Sequence, residues 1–272
     1  MTFSIIIPTY KRIDLLTVCL EHLSLAIQRG AEGDYEVIVT DDSDDAATKS
    51  LIDASFPWVR WVKGPGKGPA ANRNHGARAA KGEWIIFTDD DCIPDEGWLV
   101  AYKDGILDAQ DRVEVFEGKT VSDRPQRRYD EESPINLTGG HLWSCNFAIR
   151  RSLFEQTGGF DEGFPFAAME DVDFHYRIAK LTEIKFLPDA VIVHPWRRIN
   201  ASMWLKKQYH SRVYFYKKHR DGVGLRYRFN MFKSFVVTAV VGGAKVLRYA
   251  FRGWKFYLVH CLLRFSLIFA YS

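Results

Sequence analysis

The first ninety residues alternate short β-branched runs with stretches of helical spacing, and each of two runs stops abruptly at a cluster of acids. Residues 3–7 form the first run, closed by Pro8. Residues 14–28 place apolar side chains at Leu15, Leu16, Cys19, Leu20, Leu23 and Ile27, which is helical spacing with Asp14 positioned to cap it. Residues 35–40 form the next run and end on Asp41 and Asp42. Residues 59–62 predict a third strand, 69–80 an Ala-rich helix, and 83–88 a buried strand ending on Asp89, Asp90 and Asp91. Strands alternating with helices predict an α/β fold, a mainly parallel sheet with helices on its faces. Such sheets bind ligands beyond the carboxyl ends of their strands, and both acidic clusters fall there.

The middle of the chain is less regular. Residues 123–138 are polar, charged and proline-containing, which predicts a mobile loop. Gly158 and Gly159 mark a turn, residues 170–180 a short helix, and residues 190–194 a last strand cut off by Pro195.

Three adjacent carboxylates at Asp89, Asp90 and Asp91 repel one another, so something cationic must relieve them. A divalent metal with oxygen ligands, Mg²⁺ or Mn²⁺, supplies such charge. Alternate side chains of an extended segment share a face, so Asp89 and Asp91 are able to serve one site; a solvated acidic turn is the plain alternative. The tract Gly64-Pro-Gly-Lys-Gly68 lacks the Lys-Ser/Thr pair of a P-loop and indicates only a turn into a helix. Arg73, near that helix start, is placed to meet an anion. Glu170, Asp171 and Asp173 cluster at a helix start, which suits either macrodipole compensation or a general base. His194 is either structural or a neutral third ligand beside a carboxylate metal site.

These pieces occur in the order of a known family. The stretches Ser4-Ile-Ile-Ile-Pro-Thr-Tyr-Lys-Arg12, Glu36-Val-Ile-Val-Thr-Asp-Asp-Ser43, Ala71-Asn-Arg-Asn-His-Gly-Ala-Arg-Ala-Ala-Lys-Gly82, Ile85-Ile-Phe-Thr-Asp-Asp-Asp91, Asn146-Phe-Ala-Ile-Arg-Arg-Ser152, Gly158-Gly-Phe-Asp-Glu162 and Glu170-Asp-Val-Asp173 span about residues 3 to 195. Together the chain resembles the inverting family 2 glycosyltransferases, which include bacterial enzymes of surface-polysaccharide and lipopolysaccharide assembly. The resemblance implies a GT-A fold over residues 1–196 and a nucleotide-diphosphate sugar donor, UDP-linked by preference, with a saccharide or lipid-linked acceptor. It implies that Pro8, Thr9, Tyr10 and Arg12 line the nucleotide-sugar pocket, that Asp41 or Asp42 bonds the base or ribose, and that Arg73, Asp89 and Asp90 contact the donor. Asp91, with Asp89 and His194, would hold Mn²⁺ or Mg²⁺ in a DxD motif. Asp171 would be the catalytic base, with Glu170 beside it, and Trp143 and Asn146 would face the acceptor. One departure stands out. Where the family has Asp-Asp-Gly-Ser, this chain reads Asp41-Asp42-Ser43-Asp44, without the glycine. A sugar nucleotidyltransferase is the enzymatic alternative, although those enzymes resemble one another in a glycine-rich loop after the first strand, absent here. A non-catalytic sugar-nucleotide-binding protein is the alternative from another class.

Charge divides the chain. Residues 1–196 carry 21 Lys and Arg against 33 Asp and Glu, whereas residues 197–272 carry 16 against one acid, Asp221. Two apolar stretches, 234–247 and 254–270, lie in this basic, aromatic tail and are interrupted by Lys245, His260 and Arg264. They predict amphipathic helices lying on an anionic membrane surface rather than clean spans. A helical subdomain packed on protein is the alternative, and no nucleic-acid module is present. Cys19, Cys92, Cys145 and Cys261 show no CxxC spacing, which fits neither a zinc site nor a disulfide framework. With no basic n-region at the start, the expected location is the cytoplasm, peripheral on the inner face of the membrane.

Overall fold

The computed structural model describes residues 1–31, 33, 35–110, 112–219 and 224–270, with backbone alone over 224–228. The chain forms two compact units: Met1–Asp123 with Pro134–Glu162 and Glu170–Pro195, and Arg124–Ser133 with Gly163–Met169 and Trp196–Ser272.

The first unit opens with β1 (Phe3–Thr9), α1 (Ile13–His22), β2 (Tyr35–Asp41), α2 (Ala47–Ser55), β3 (Val59–Lys63), α3 (Pro69–Ala79) and β4 (Trp84–Phe87). It continues through β5 (Ile93–Pro94), α4 (Trp98–Ala109) and β6 (Val115–Val121), and after β7 (Glu131–Glu132), which belongs to the second unit, through β8 (Phe147–Arg150), α5 (Arg151–Gln156), α6 (Glu170–Ile178) and β9 (Ile184–Val193). The sheet order is β3-β2-β1-β4-β8-β6-β9-β5. Pairing is parallel from β3 to β4 and between β6 and β9, and antiparallel around β8 and β5. Side chains alternate across β1, so Ile5 and Ile7 join Leu16, Leu20, Trp98 and Phe116 on one face. Ile6 joins Ala77, Phe87, Phe147, Phe160 and Phe174 on the other. Helix α3 lies so close to the sheet that a Cβ on Gly76 would meet Ile6 at 2.5 Å, which explains a glycine in mid-helix.

Two local expectations change. Helix α1 starts at Ile13 with Arg12 at the cap position, so Asp14 sits in the first turn rather than capping it, and the helix ends at His22. The last strand is ten residues long rather than five: it pairs with β6 on both sides of an irregularity at residues 188–190, where the register jumps from Gly118–Leu187 to Lys119–Val191.

The second unit contains β7, β10 (Arg197–Arg198), α7 (Ala201–Lys218), α8 (Gly224–Arg248) and α9 (Trp254–Phe269). Strands β7 and β10 pair antiparallel, with Arg198 opposite Glu131 and Arg197 opposite Glu132. Arg124 bonds Glu131 at 3.0 Å, and both Arg128 and Arg198 reach Asp130, at 2.7 and 3.2 Å. The polar tract expected to be a mobile loop is therefore held by a sheet and ion pairs. Asn200 caps α7 by accepting from the Met203 N–H at 3.1 Å. Helices α8 and α9 pack on each other around Tyr129, Val246 and Phe256 at one end and Met231, Leu263 and Leu267 at the other. Their outer faces stay apolar and exposed: Phe229, Phe232, Val236, Val240 and Leu247 on α8, and Trp254, Leu258, Leu262, Phe265 and Phe269 on α9. The stretch Phe229–Arg248 is long and apolar enough to cross a membrane by length and composition.

Candidate active site

Parallel register sets Thr9 beside Asp41 and Ile6 beside Phe87, so the chain leaving β4 runs alongside the end of β1. The Thr88 N–H bonds the Ile6 carbonyl at 3.2 Å and carries this pairing one residue further. The three aspartates that follow then separate. Asp89 turns to Arg73 of α3, whose Nη2 is 2.5 Å from its Oδ1. Asp90 turns inward, accepting from the Thr9 hydroxyl at 2.7 Å and pairing with Arg12 Nη1 at 2.8 Å. Asp91 bonds Arg12 Nη2 with one oxygen and has His194 Nε2 3.3 Å from the other. Three adjacent carboxylates require cations beside them. The chain itself supplies three: Arg73, Arg12 and His194.

Burial sets their proton affinities. It pushes Asp90 up to about 7, against the opposing pull of Arg12 and Thr9. Burial also raises Asp91, but the His194 hydrogen bond and charge, with Arg12, outweigh it and hold the carboxyl well below its usual range. His194 is the mirror image. Burial lowers it, while the hydrogen bond and charge of Asp91 carry it to about 9.

The Asp91 Oδ1 atom is buried and faces His194 Nε2 at 3.3 Å in an imperfectly aligned contact, with no other donor on it among the described residues. Ligand atoms of Asp91, Cys92 and His194 lie within 4.8 Å of one another. Burial and the neighbouring Cys145 keep the Cys92 thiol protonated, which makes it a poor ligand for a hard ion. The carboxylate suits Mn²⁺ or Mg²⁺, and the imidazole does so once it gives up the proton that Asp91 holds on it, so the donor set fits such an ion through Asp91 and His194. Asp89 lies beside them with one oxygen committed to Arg73.

The expected nucleotide contacts divide. Asp41 accepts from the Ser43 N–H at 2.8 Å and from Trp61 Nε1 at 3.3 Å. Asp42 accepts from the N–H groups of Gly66 and Gly68, at 2.9 and 3.1 Å. An anion thus already occupies the turn into α3, and it is the chain's own carboxylate. Pro8 and Thr9 are buried in β1, whereas the Tyr10 side chain is 55% exposed.

Helix α6 brings in the second acidic cluster. Arg73 Nη1 lies 3.5 Å from Glu170 Oε1 while its Nη2 holds Asp89, so one buried guanidinium joins both clusters. It lies 5.7 Å from the Phe160 ring centroid. Burial and the adjacent Asp171 charge raise Glu170 to about 7, with Arg73 opposing. Asp173 pairs with Arg177 at 2.9 Å. Asp171 accepts from the Val172 N–H, at 2.8 Å, and has no side-chain partner among the described residues. Burial raises its pKa too, with that hydrogen bond and Arg73 opposing.

The acceptor-side expectations fare differently. Asn146 is buried, and all four of its hydrogen-bonding positions are taken: Oδ1 accepts from Trp98 and Tyr102, each at 2.8 Å, and Nδ2 donates to the Lys119 and Ala190 carbonyls, each at 3.0 Å. It ties α4, β6 and β9 to the start of β8 and offers no spare polar atom. Trp143 is half-buried and stacks on His141 at 5.2 Å. Asn72 escaped the sequence reading. Its Nδ2 bonds the Thr40 carbonyl at 2.8 Å, and its Oδ1 is buried without a partner among the described residues. Its signal was its place beside Arg73 in the Ala71–Asn74 tract.

The model of the glycosyl transferase family 2 matches residues 4–158. An uncharacterised glycosyltransferase of Haemophilus influenzae is 35% identical over 197 residues, which cover 68% of this chain and 64% of that one, so the match spans less than two thirds of the relative's length. Among solved structures, the mannosyltransferase PcManGT of Pyrobaculum calidifontis, in complex with GDP-Man and Mn²⁺, shares the fold. Its TM-score is 0.62 at 19% identity, over 98% of this chain and 85% of that one. TarS 1-349 of S. aureus in complex with UDP-GlcNAc also shares it, with a TM-score of 0.57 at 24% identity, over 74% and 60%. The sheet order, the motifs at its strand ends and the family match agree: the chain belongs to glycosyltransferase family 2 and carries its catalytic fold, GT-A.

Proposed function

We propose that this protein is an inverting, metal-assisted glycosyltransferase that moves a sugar from a nucleotide-diphosphate donor to a hydroxyl of a saccharide or lipid-linked acceptor. The observation that carries the proposal is a division of labour within one cluster. Asp91 turns a buried oxygen to His194 with no other donor on it, while Asp171 is the one acid of its helix start with no side-chain partner among the described residues. Mn²⁺ or Mg²⁺ bound there would neutralise the charge that grows on the diphosphate leaving group. Asp91 and His194 would hold it. Asp171, its basicity raised by burial, takes the proton of the acceptor hydroxyl, which attacks the anomeric carbon opposite the leaving group and inverts it in one displacement. Arg73, fixed between Asp89 and Glu170, sets the distance between the two acidic clusters. UDP-sugars are the first donors to try, as TarS was solved with UDP-GlcNAc; GDP-mannose is second, after PcManGT. The family match favours transfer over nucleotidyl chemistry.

The test is a panel of UDP-, GDP- and dTDP-sugars, with a CMP-sugar as the monophosphate control, incubated with the protein and Mn²⁺, with the free nucleotide as the readout. Mn²⁺-dependent release from one donor class supports the reading. Pyrophosphate release from nucleoside triphosphate and sugar 1-phosphate, with no donor cleaved, would replace it with a nucleotidyltransferase.

A second reading concerns location. The exposed apolar faces of α8 and α9, with Lys233, Lys245, Arg248, Arg252 and Lys255 around them, support residence on the anionic inner face of the cytoplasmic membrane. Helix α9, at 16 residues, is about 24 Å long and too short for a hydrocarbon core of about 30 Å, which favours lying in the interface over crossing it. Co-flotation with anionic vesicles, absent with neutral ones, is the expected result.

A further inference from the structure

The Arg12 guanidinium bridges Asp90 and Asp91, two of the three adjacent carboxylates that follow β4. The turn that delivers it is unusual. Lys11 adopts φ +52, in the left-handed region, and is held there by its N–H on the Ser43 hydroxyl at 2.9 Å and its Nζ on Asp44 at 2.6 Å. The two arginines of the cluster also differ in freedom. The Arg73 side chain is 5% exposed, and that of Arg12 is 38% exposed, so Arg12 alone has solvent to swing into.

The geometry points to Arg12 as the metal's built-in competitor. It neutralises Asp90 and Asp91 while the ion is away, and it must yield Asp91 when the ion arrives. A guanidinium and a divalent cation sharing one carboxylate repel each other, so each weakens the other's hold. The acidic cluster thereby stays folded without metal, at the cost of a lower affinity for it. The inference rests on the metal reading of Asp91 and His194 and adds a residue that nothing in the family match assigns to the metal.

The experiment titrates Mn²⁺ alone into the full chain, following free Mn²⁺ by electron paramagnetic resonance. Arg12→Met is expected to bind Mn²⁺ about tenfold more tightly than wild type, and Arg12→Lys to stay near wild type. In EDTA, Arg12→Met should melt below wild type and recover with Mn²⁺ by more than wild type gains. Equal or weaker Mn²⁺ affinity in Arg12→Met overturns the assignment while leaving the metal reading standing. Uptake by neither protein overturns both. Asp91→Asn should abolish uptake in either background, which ties the signal to this site. Should Arg12→Met fail to fold, Arg12→Gln answers the same question with a polar, uncharged side chain.

Discussion

The two units use charge and apolar surface in opposite ways. In the first, apolar side chains fill both faces of the sheet, and the charged groups at the strand ends are buried or half-buried in named pairs: Asp89 with Arg73, Asp90 with Arg12, Asp91 with His194. In the second, apolar side chains of α8 and α9 lie outside, Val240 at 67% exposure, and cations stand among them. A surface that hides its charges and leaves a few buried oxygens open suits a small, highly charged ligand. A surface that exposes apolar ridges between cations suits a broad, apolar partner with an anionic rim. One molecule carries both designs.

Substitutions sharpen that contrast, and the largest effect belongs to the first unit. Asp171→Asn should lower turnover by about 10²–10⁴-fold while donor binding, read by thermal shift, persists. Wild-type turnover in that variant would remove Asp171 as the base. Asn146→Ala, in the same unit, should cost about 2–4 kcal/mol in urea unfolding, because it strands the Trp98 and Tyr102 donors and two carbonyls at once. A replacement on the outer face of the second unit should reverse the pattern. Val240→Glu is expected to change folding stability by less than about 0.5 kcal/mol, yet weaken anionic-vesicle binding by about tenfold. A large loss of stability there would mean that the face is covered by protein, and the contrast between the units would fail.

The smallest effect is a pH dependence. Glu170 has a folded pKa of about 7 against an ordinary 4.5, so the folded state holds its proton more tightly than the unfolded chain does. Its contribution is therefore most favourable at low pH and is lost as pH rises through about 7. Glu170→Gln should accordingly flatten the fall in melting temperature between about pH 5 and 7; an unchanged slope would mean that Arg73 compensates the charge fully.

The sequence showed the early sheet plainly, because β1, β2 and β4 carry apolar runs over residues 5–7, 37–39 and 84–87. The antiparallel half was hidden. Strand β6 carries Glu117 in its middle, a residue that would ordinarily deny a buried strand. It is tolerated because the His141 N–H and Asn136 Nδ2 donate to it, at 3.0 and 3.1 Å, from a segment more than fifteen residues away. Helix α4 was likewise obscured by Gly105, whose missing side chain makes room for Leu187. In the site, the acids were legible one by one, since carboxylates at strand ends are a local signal. Their partners were not. Arg12 reaches Asp91 across 79 positions of sequence and Arg73 reaches Glu170 across 97, so only the folded chain reveals which cation serves which acid.

The pairing of β7 with β10 also sets an order of events during synthesis. Glu131 and Glu132 leave the ribosome about 65 residues before Arg197 and Arg198, the one strand they pair with among the described residues. At typical elongation rates that is a wait of about 3–13 s, during which this acidic strip has no sheet partner while β1 to β4, already complete, are free to pair. The second unit is thus delivered in instalments, and a messenger cut short before residue 196 would yield a chain whose residues 124–133 never meet the strand that holds them.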